Sequence, residues 1–210
     1  MSKLLNLVLS HVIFSENSPV YHIAFALGAS GSARSTIFDV QKDVVAKILN
    51  LPTSADRKFA LMLYDDTADI ENRFEHFRND SMFLTILRSL SLPDSDASNP
   101  LALLSVLQKA PELFRSSPTT VNKVIVVFTN SLLPADLRPF ASAAQDLKRQ
   151  GVKLVMVTVG DRTDRRRVSS WVTDPANIID ADPRNPDRSK LTNQIATIIY
   201  RGNGFRSICP

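Results

Sequence analysis

Cysteine is almost missing from this chain: Cys209 is the only one in 210 residues. An internal disulfide and a CxxC-type zinc site are therefore excluded. Histidine is nearly as scarce, and His11, His22 and His76 are too scattered for a His-rich metal site. Glycine and proline, 6 and 12 residues, are too few for a collagen or a low-complexity chain. No apolar run approaches the ~18 residues needed to span a bilayer. Neither sign of charge dominates. The 25 Lys and Arg against 21 Asp and Glu leave a net +4, a slight lean toward anionic partners. Aromatic residues make up only 7% and none interleave with the arginine clusters, which argues against nucleic acid. Catalytic signatures are missing as well. There is no nucleophile elbow, no HExxH and no P-loop lysine. Ser30-Gly31-Ser32 has no general base beside it in sequence. The reading is a non-enzymatic protein.

What is present is a hydrophobic fraction of 44%, ordinary for one globular domain. Residues 1–18 form a leader: Lys3 precedes an interrupted apolar stretch from Leu4 to Phe14. Two readings stay open for it, a secretory signal and a plain leader helix. Asn79-Asp80-Ser81 is a glycosylation sequon, usable only if the chain is secreted. Residues 19–202 read as one domain, and 203–210 as a tail carrying Cys209.

Within the domain, strand-like and helix-like segments alternate. Val20 to Leu27 is an apolar run ended by Gly28 and reads as a buried strand. Ser35 to Asn50 follows as a helix with Ile37, Val40, Val44, Val45 and Ile48 inward and an Asp43–Lys47 pair outside. Phe59 to Tyr64 and Thr67 to Phe74 read as an antiparallel hairpin whose second strand is a polar edge. Helices are expected over 81–90 and over 101–114, the latter interrupted by Pro111. Lys123 to Thr129 and Lys153 to Val159 are buried strands around a helix from Pro134 to Gln150, which Gly151 stops. A short helix around 168–172 carries the only tryptophan, Trp171, expected in the core. A last strand over 177–180 and a helix over 189–200 complete the pattern. Strands separated by helices predict a Rossmann-like, doubly wound α/β sheet, mostly parallel with one antiparallel edge strand. In such sheets ligands sit at the carboxyl ends of the strands, which draws attention to the loops 28–34, 92–100, 129–136, 160–167 and 181–188.

Gly28-Ala29-Ser30-Gly31-Ser32-Ala33-Arg34 joins the first strand to the first helix. GASG resembles the start of a dinucleotide-binding loop, in which glycines let backbone N–H groups approach a pyrophosphate. Arg34 stands where a third glycine belongs, and no Tyr-x-x-x-Lys pair occurs. A Rossmann-type nucleotide-binding enzyme using this loop is the alternative reading.

A second resemblance covers most of residues 19–202. IAFALGASGSA is similar to the apolar strand and Asp-x-Ser-x-Ser loop of von Willebrand factor A domains. The 59–74 hairpin resembles that family's antiparallel edge, KVIVVFTNS its strand ending in Thr-Asp-Gly, and LKRQGVKLVMVTVGD its helix–Gly–strand–Gly run. The resemblance implies an adhesion or protein-interaction module of an extracellular matrix or adhesion protein, secreted. It implies protein partners such as a collagen-like or glycosaminoglycan-bearing matrix component.

In that family, strand-top loops build a metal-ion-dependent adhesion site from two serines, a threonine and two aspartates. This chain departs from the pattern at both carboxylates. Gly28 stands for the first Asp and Asn130 for the later one, while Ser30, Ser32 and, loosely, Ser98 keep the hydroxyl positions. Neutral oxygens compete poorly with water for Mg²⁺. The expectation is therefore a degenerate site, with no cofactor and no Mg²⁺ or other divalent ion. The competing reading is a metal site rebuilt from Asp65, Asp94, Asp96 and Asp161. Ser30 and Ser32 equally read as turn and helix-cap residues. Arg162, Arg165, Arg166, Arg167, Arg184 and Arg188 fall on neighbouring loops. They read either as a rim for an anionic partner or as a solvated edge neutralised by Asp161, Asp164, Asp180, Asp182 and Asp187.

Overall fold

A computed structural model describes residues 18–29, 35–74, 80–92, 99, 101–129, 133–159, 165–182 and 186–201. Six strands form one sheet: β1 Val20–Gly28, β2 Asp56–Tyr64, β3 Ala68–Asn72, β4 Asn122–Thr129, β5 Val152–Val159 and β6 Ile178–Ala181. Six helices connect them: α1 Ser35–Leu49, α2 Asp80–Ser89, α3 Ala102–Phe114, α4 Arg138–Arg149, α5 Arg165–Val168 and α6 Arg188–Ile199. The strand order is β3-β2-β1-β4-β5-β6. Every pairing is parallel except β2 with β3, which is antiparallel at the edge. The expected fold class is the observed one.

The pleat of β1 explains the layering. Its odd residues Tyr21, Ile23, Phe25 and Leu27 share a core with α1, α2 and α6. Its even residues Ala24 and Ala26 share the other core with α3, α4 and Trp171. A strand buried on both faces must be apolar at every position, and all of β1 beyond Val20 is buried. Phe25, Phe59 and Phe83 tie β1, β2 and α2 together, with ring centroids 5.8–6.5 Å apart.

Three local expectations shift. The helix α3 runs through Pro111 instead of breaking there. Pro111 forgoes the N–H bond to the Leu107 carbonyl, and buried Leu113 and Phe114 hold that last turn to the core. The helix α4 begins at Arg138, not at Pro134, because Asp136 accepts from the Arg138 N–H (3.0 Å) and starts the turn there. The short helix lies at 165–168, upstream of Trp171. Trp171 itself is fully buried and stacks on Phe140, with centroids 5.2 Å apart. Gly151 ends α4 with φ of 73°, a left-handed conformation that glycine adopts without steric cost. Among the described residues, no helix is long and apolar enough to cross a membrane.

Candidate functional site

Strand order reverses between β1 and β4: from β1 the chain builds outward through β2 and β3, then returns to β4 on the other side. A crevice opens beyond the carboxyl ends of strands at such a switch point. Gly28 ends β1 and Thr129 ends β4, so these two residues flank this crevice. Ser30, Ser32, Ser98 and Asn130 themselves lie outside the described residues, as do Asn79, Arg162, Arg184 and Cys209. Asn99, next to Ser98, donates from its side chain to the Asp66 carbonyl (3.0 Å) and accepts from the Leu101 N–H (2.9 Å). Those bonds hold residue 99 at the carboxyl end of β2.

Three side chains, Tyr64, Thr129 and Gln41, build the floor of the crevice. Tyr64, at the end of β2, is buried and donates its phenol to the Phe128 carbonyl of β4 at 2.5 Å. To get there its side chain passes over β1 at Gly28. A Cβ on residue 28 would lie 3.0 Å from the Tyr64 hydroxyl, 3.2 Å from its ring and 3.2 Å from the Phe128 carbonyl. Gly28 therefore serves close approach and not an unusual backbone angle, since Gly151 is the positive-φ glycine. Burial pushes the Tyr64 phenol well above its ordinary range, opposed by the Thr129 side chain, so it stays a neutral donor. The third side chain is Gln41 of α1, 1% exposed. Its amide accepts from the Gly28 N–H (3.0 Å) and donates to the Gly28 carbonyl (3.2 Å). A side-chain amide thereby satisfies both backbone groups of Gly28, as buried polar groups require.

Two signals for this floor were available in sequence. A glycine closing a buried strand marks close approach, and Gln41 is a polar residue on the apolar stripe of α1. Neither signal names Tyr64 as the partner, because that contact joins residues far apart in the chain.

Metal fit can be tested on this geometry. At Gly28 the described polar groups are the Tyr64 phenol, the Gln41 amide and the Thr129 hydroxyl, all neutral, while the Asp65 carboxylate follows Tyr64 at the end of β2. A side chain at position 28, where the resembling family has its first-loop aspartate, would need Tyr64 or Phe128 to give by a few tenths of an ångström. Among the described residues, no three His, Cys, Asp or Glu side chains come together in a way that could hold a metal ion. Asp65 is described; Asp94, Asp96 and Asp161, the other members of the rebuilt set, lie outside.

The described rim arginines have protein partners. Arg165 pairs with Asp180 (2.9 Å) and donates to the Pro175 carbonyl (2.9 Å). Arg167 donates to the carbonyls of Leu133 and Pro134. Arg188 pairs with Asp43 (3.3 Å). Arg166 is exposed. These contacts match the neutralised edge more closely than an open cationic rim. Nearby, Asp136 is held by the Arg138 side chain and its N–H, which lowers its pKa to about 2. A groove of about 830 Å³ lies between β6 and α6, lined by Arg165, Ile178, Asp180, Lys190, Asn193 and Gln194 among others.

A family model described as von Willebrand factor type A domain matches residues 22–198. Among solved structures, proximal thread matrix protein 1 from the mussel byssus superposes with a TM-score of 0.72 at 16% identity, over 87% of this chain and 46% of that one. A further structure of that protein, with a zinc-occupied metal-ion-dependent adhesion motif, gives 0.69 at 13% identity, over 88% and 48%. The conserved hypothetical protein BatB from Bacteroides thetaiotaomicron gives 0.65 at 14% identity, over 85% and 98%. The chain thus spans about half the length of the byssus protein. Identities this low establish the fold alone, but the family match runs through all six strands and nearly to the end of α6. The chain belongs to the von Willebrand factor type A domain family, whose members are generally non-catalytic, protein-binding modules.

Proposed function

We propose that this domain is an adhesion module that binds a protein partner at the β1/β4 crevice without a divalent ion. The observation that carries the reading is the Tyr64–Gly28–Phe128 contact. The phenol and a backbone carbonyl occupy the space into which a side chain at position 28 would project. A Mg²⁺ site needs hard, negatively charged oxygen to repay the loss of water, and the side chains that touch Gly28, Tyr64 and Gln41, are neutral. Ser30, Ser32, Ser98 and Asn130 then supply the hydroxyl and amide groups that contact the partner. The partner is a matrix component, collagen-like or glycosaminoglycan-bearing, and the domain works outside the cell. The fold shared with a byssus thread matrix protein supports that setting.

Calorimetry with Mn²⁺ tests the metal part. The expected result is no saturable binding by the unmodified chain, and partner capture from matrix extract that is unchanged by EDTA. Tight Mn²⁺ binding, or capture lost in EDTA, would return the function to metal-dependent adhesion.

A further inference from the structure

A second feature lies at the other end of the sheet. His22 is six residues before Gly28 in β1, about 20 Å from the crevice at ~3.3 Å per residue. In register it faces Lys58 of β2 on one side and Lys123 of β4 on the other. In-register neighbours in a parallel sheet point to the same face, and adjacent strands are about 4.8 Å apart. Lys58, His22 and Lys123 therefore stand in a row across three strands, the two lysine stems about 10 Å apart. Lys58 is exposed and Lys123 half-buried. Among the described residues, neither ammonium has a hydrogen-bond or ion-pair partner.

The imidazole between them is held in place. Its Nδ1 lies 2.6 Å from the Ser117 hydroxyl, and Phe74 stacks on the ring at 4.8 Å. Nε2 is the ring nitrogen left over, and the residue keeps 5% exposure. Burial first, then Lys58, then Lys123 hold the imidazole below its ordinary pKa; Asp56, exposed and two residues before Lys58, opposes them. The two lysines are not opposite one another but two strands apart, each in register with His22, so the space over the imidazole is flanked by a cation on either side.

We propose that Lys58, His22 Nε2 and Lys123 form a binding site for a tetrahedral oxyanion, the terminal group of a sulfate or phosphate monoester. The two ammoniums supply the charge. If the Ser117 hydroxyl donates to Nδ1, the neutral imidazole carries its proton on Nε2 and presents an N–H to the anion without having to ionise. A bound anion pairs with both ammoniums at once. The site stands apart from the crevice, so it does not depend on how the crevice works.

Imidazole NMR on the full chain tests this, with sodium sulfate and sodium phosphate titrated against chloride at matched ionic strength. The expected result is a saturable shift of the His22 resonances, with an upward move of its titration midpoint, while His11 and His76 report the bulk salt effect. The double variant Lys58→Gln with Lys123→Gln, checked for native far-UV circular dichroism, should bind at least tenfold more weakly. Glucosamine 6-sulfate and phosphoserine amide then separate the two sources of the group, the tighter one naming it. A His22 response equal to that in chloride, or one that persists in the double variant, would overturn the site.

Discussion

Tyr64 and Gly28 are one device at the residue scale, because neither position makes sense alone. The phenol reaches the Phe128 carbonyl only because residue 28 has no Cβ. Gly28→Ala should therefore destabilise the domain by about 1–3 kcal/mol, the usual cost of overpacking. In a Tyr64→Leu background most of that cost should vanish, and a denaturation double-mutant cycle reads the coupling. An additive cycle would mean that the crowding is not with Tyr64. His22 makes a different residue-scale argument. Its folded-state pKa lies below the ordinary 6.5 because burial and two lysines disfavour the imidazolium. As pH falls through 6.5 the unfolded chain takes up the proton more readily than the folded one, so stability must fall. Denaturant midpoints at pH 7.5 and 5.5 should drop more for the native sequence than for His22→Gln. Equal drops would remove His22 from the acid sensitivity.

At the scale of elements, helix ends are satisfied by side chains from other elements. Arg57 of β2 donates to the carbonyls of Ile48, Leu49 and Leu51, at 3.0–3.4 Å, and so closes α1. Lys153 of β5 donates to the Ile198 carbonyl (3.1 Å) at the end of α6. Burial, then Arg201, lowers the Lys153 pKa. Asp187 starts α6 by accepting from the Lys190 N–H (2.9 Å). These bonds use the carbonyls and N–H groups that a helix cannot satisfy within itself. The Arg57 side chain is only 13% exposed. Arg57→Ala should therefore cost about 2 kcal/mol, within the range for hydrogen bonds to a charged group. The variant should also weaken hydrogen-exchange protection in the last turn of α1. Unchanged protection there would show that the guanidinium is not what closes the helix.

At the scale of the whole molecule, the parallel sheet gives the domain two different ends. All strands except β3 point their carboxyl ends at the crevice, and their amino ends at the Lys58–His22–Lys123 row. Much of the fold was legible in sequence because it rests on local periodicity. Period-2 and fully apolar runs mark β1, β4 and β5, a 3.6-residue stripe marks α1 and α6, and Gly151 marks a stop. The start of α4 moved to Arg138, where the Asp136 side chain bonds the backbone two residues on and turns the chain into the helix. What the chain alone did not disclose is which distant residues meet. Tyr64 crosses Gly28 to reach Phe128, Gln41 folds back on Gly28, Lys58 and Lys123 flank His22, and Asp43 pairs with Arg188. Those contacts depend on strand order and register, and register is set by packing of the entire sheet rather than by any one segment.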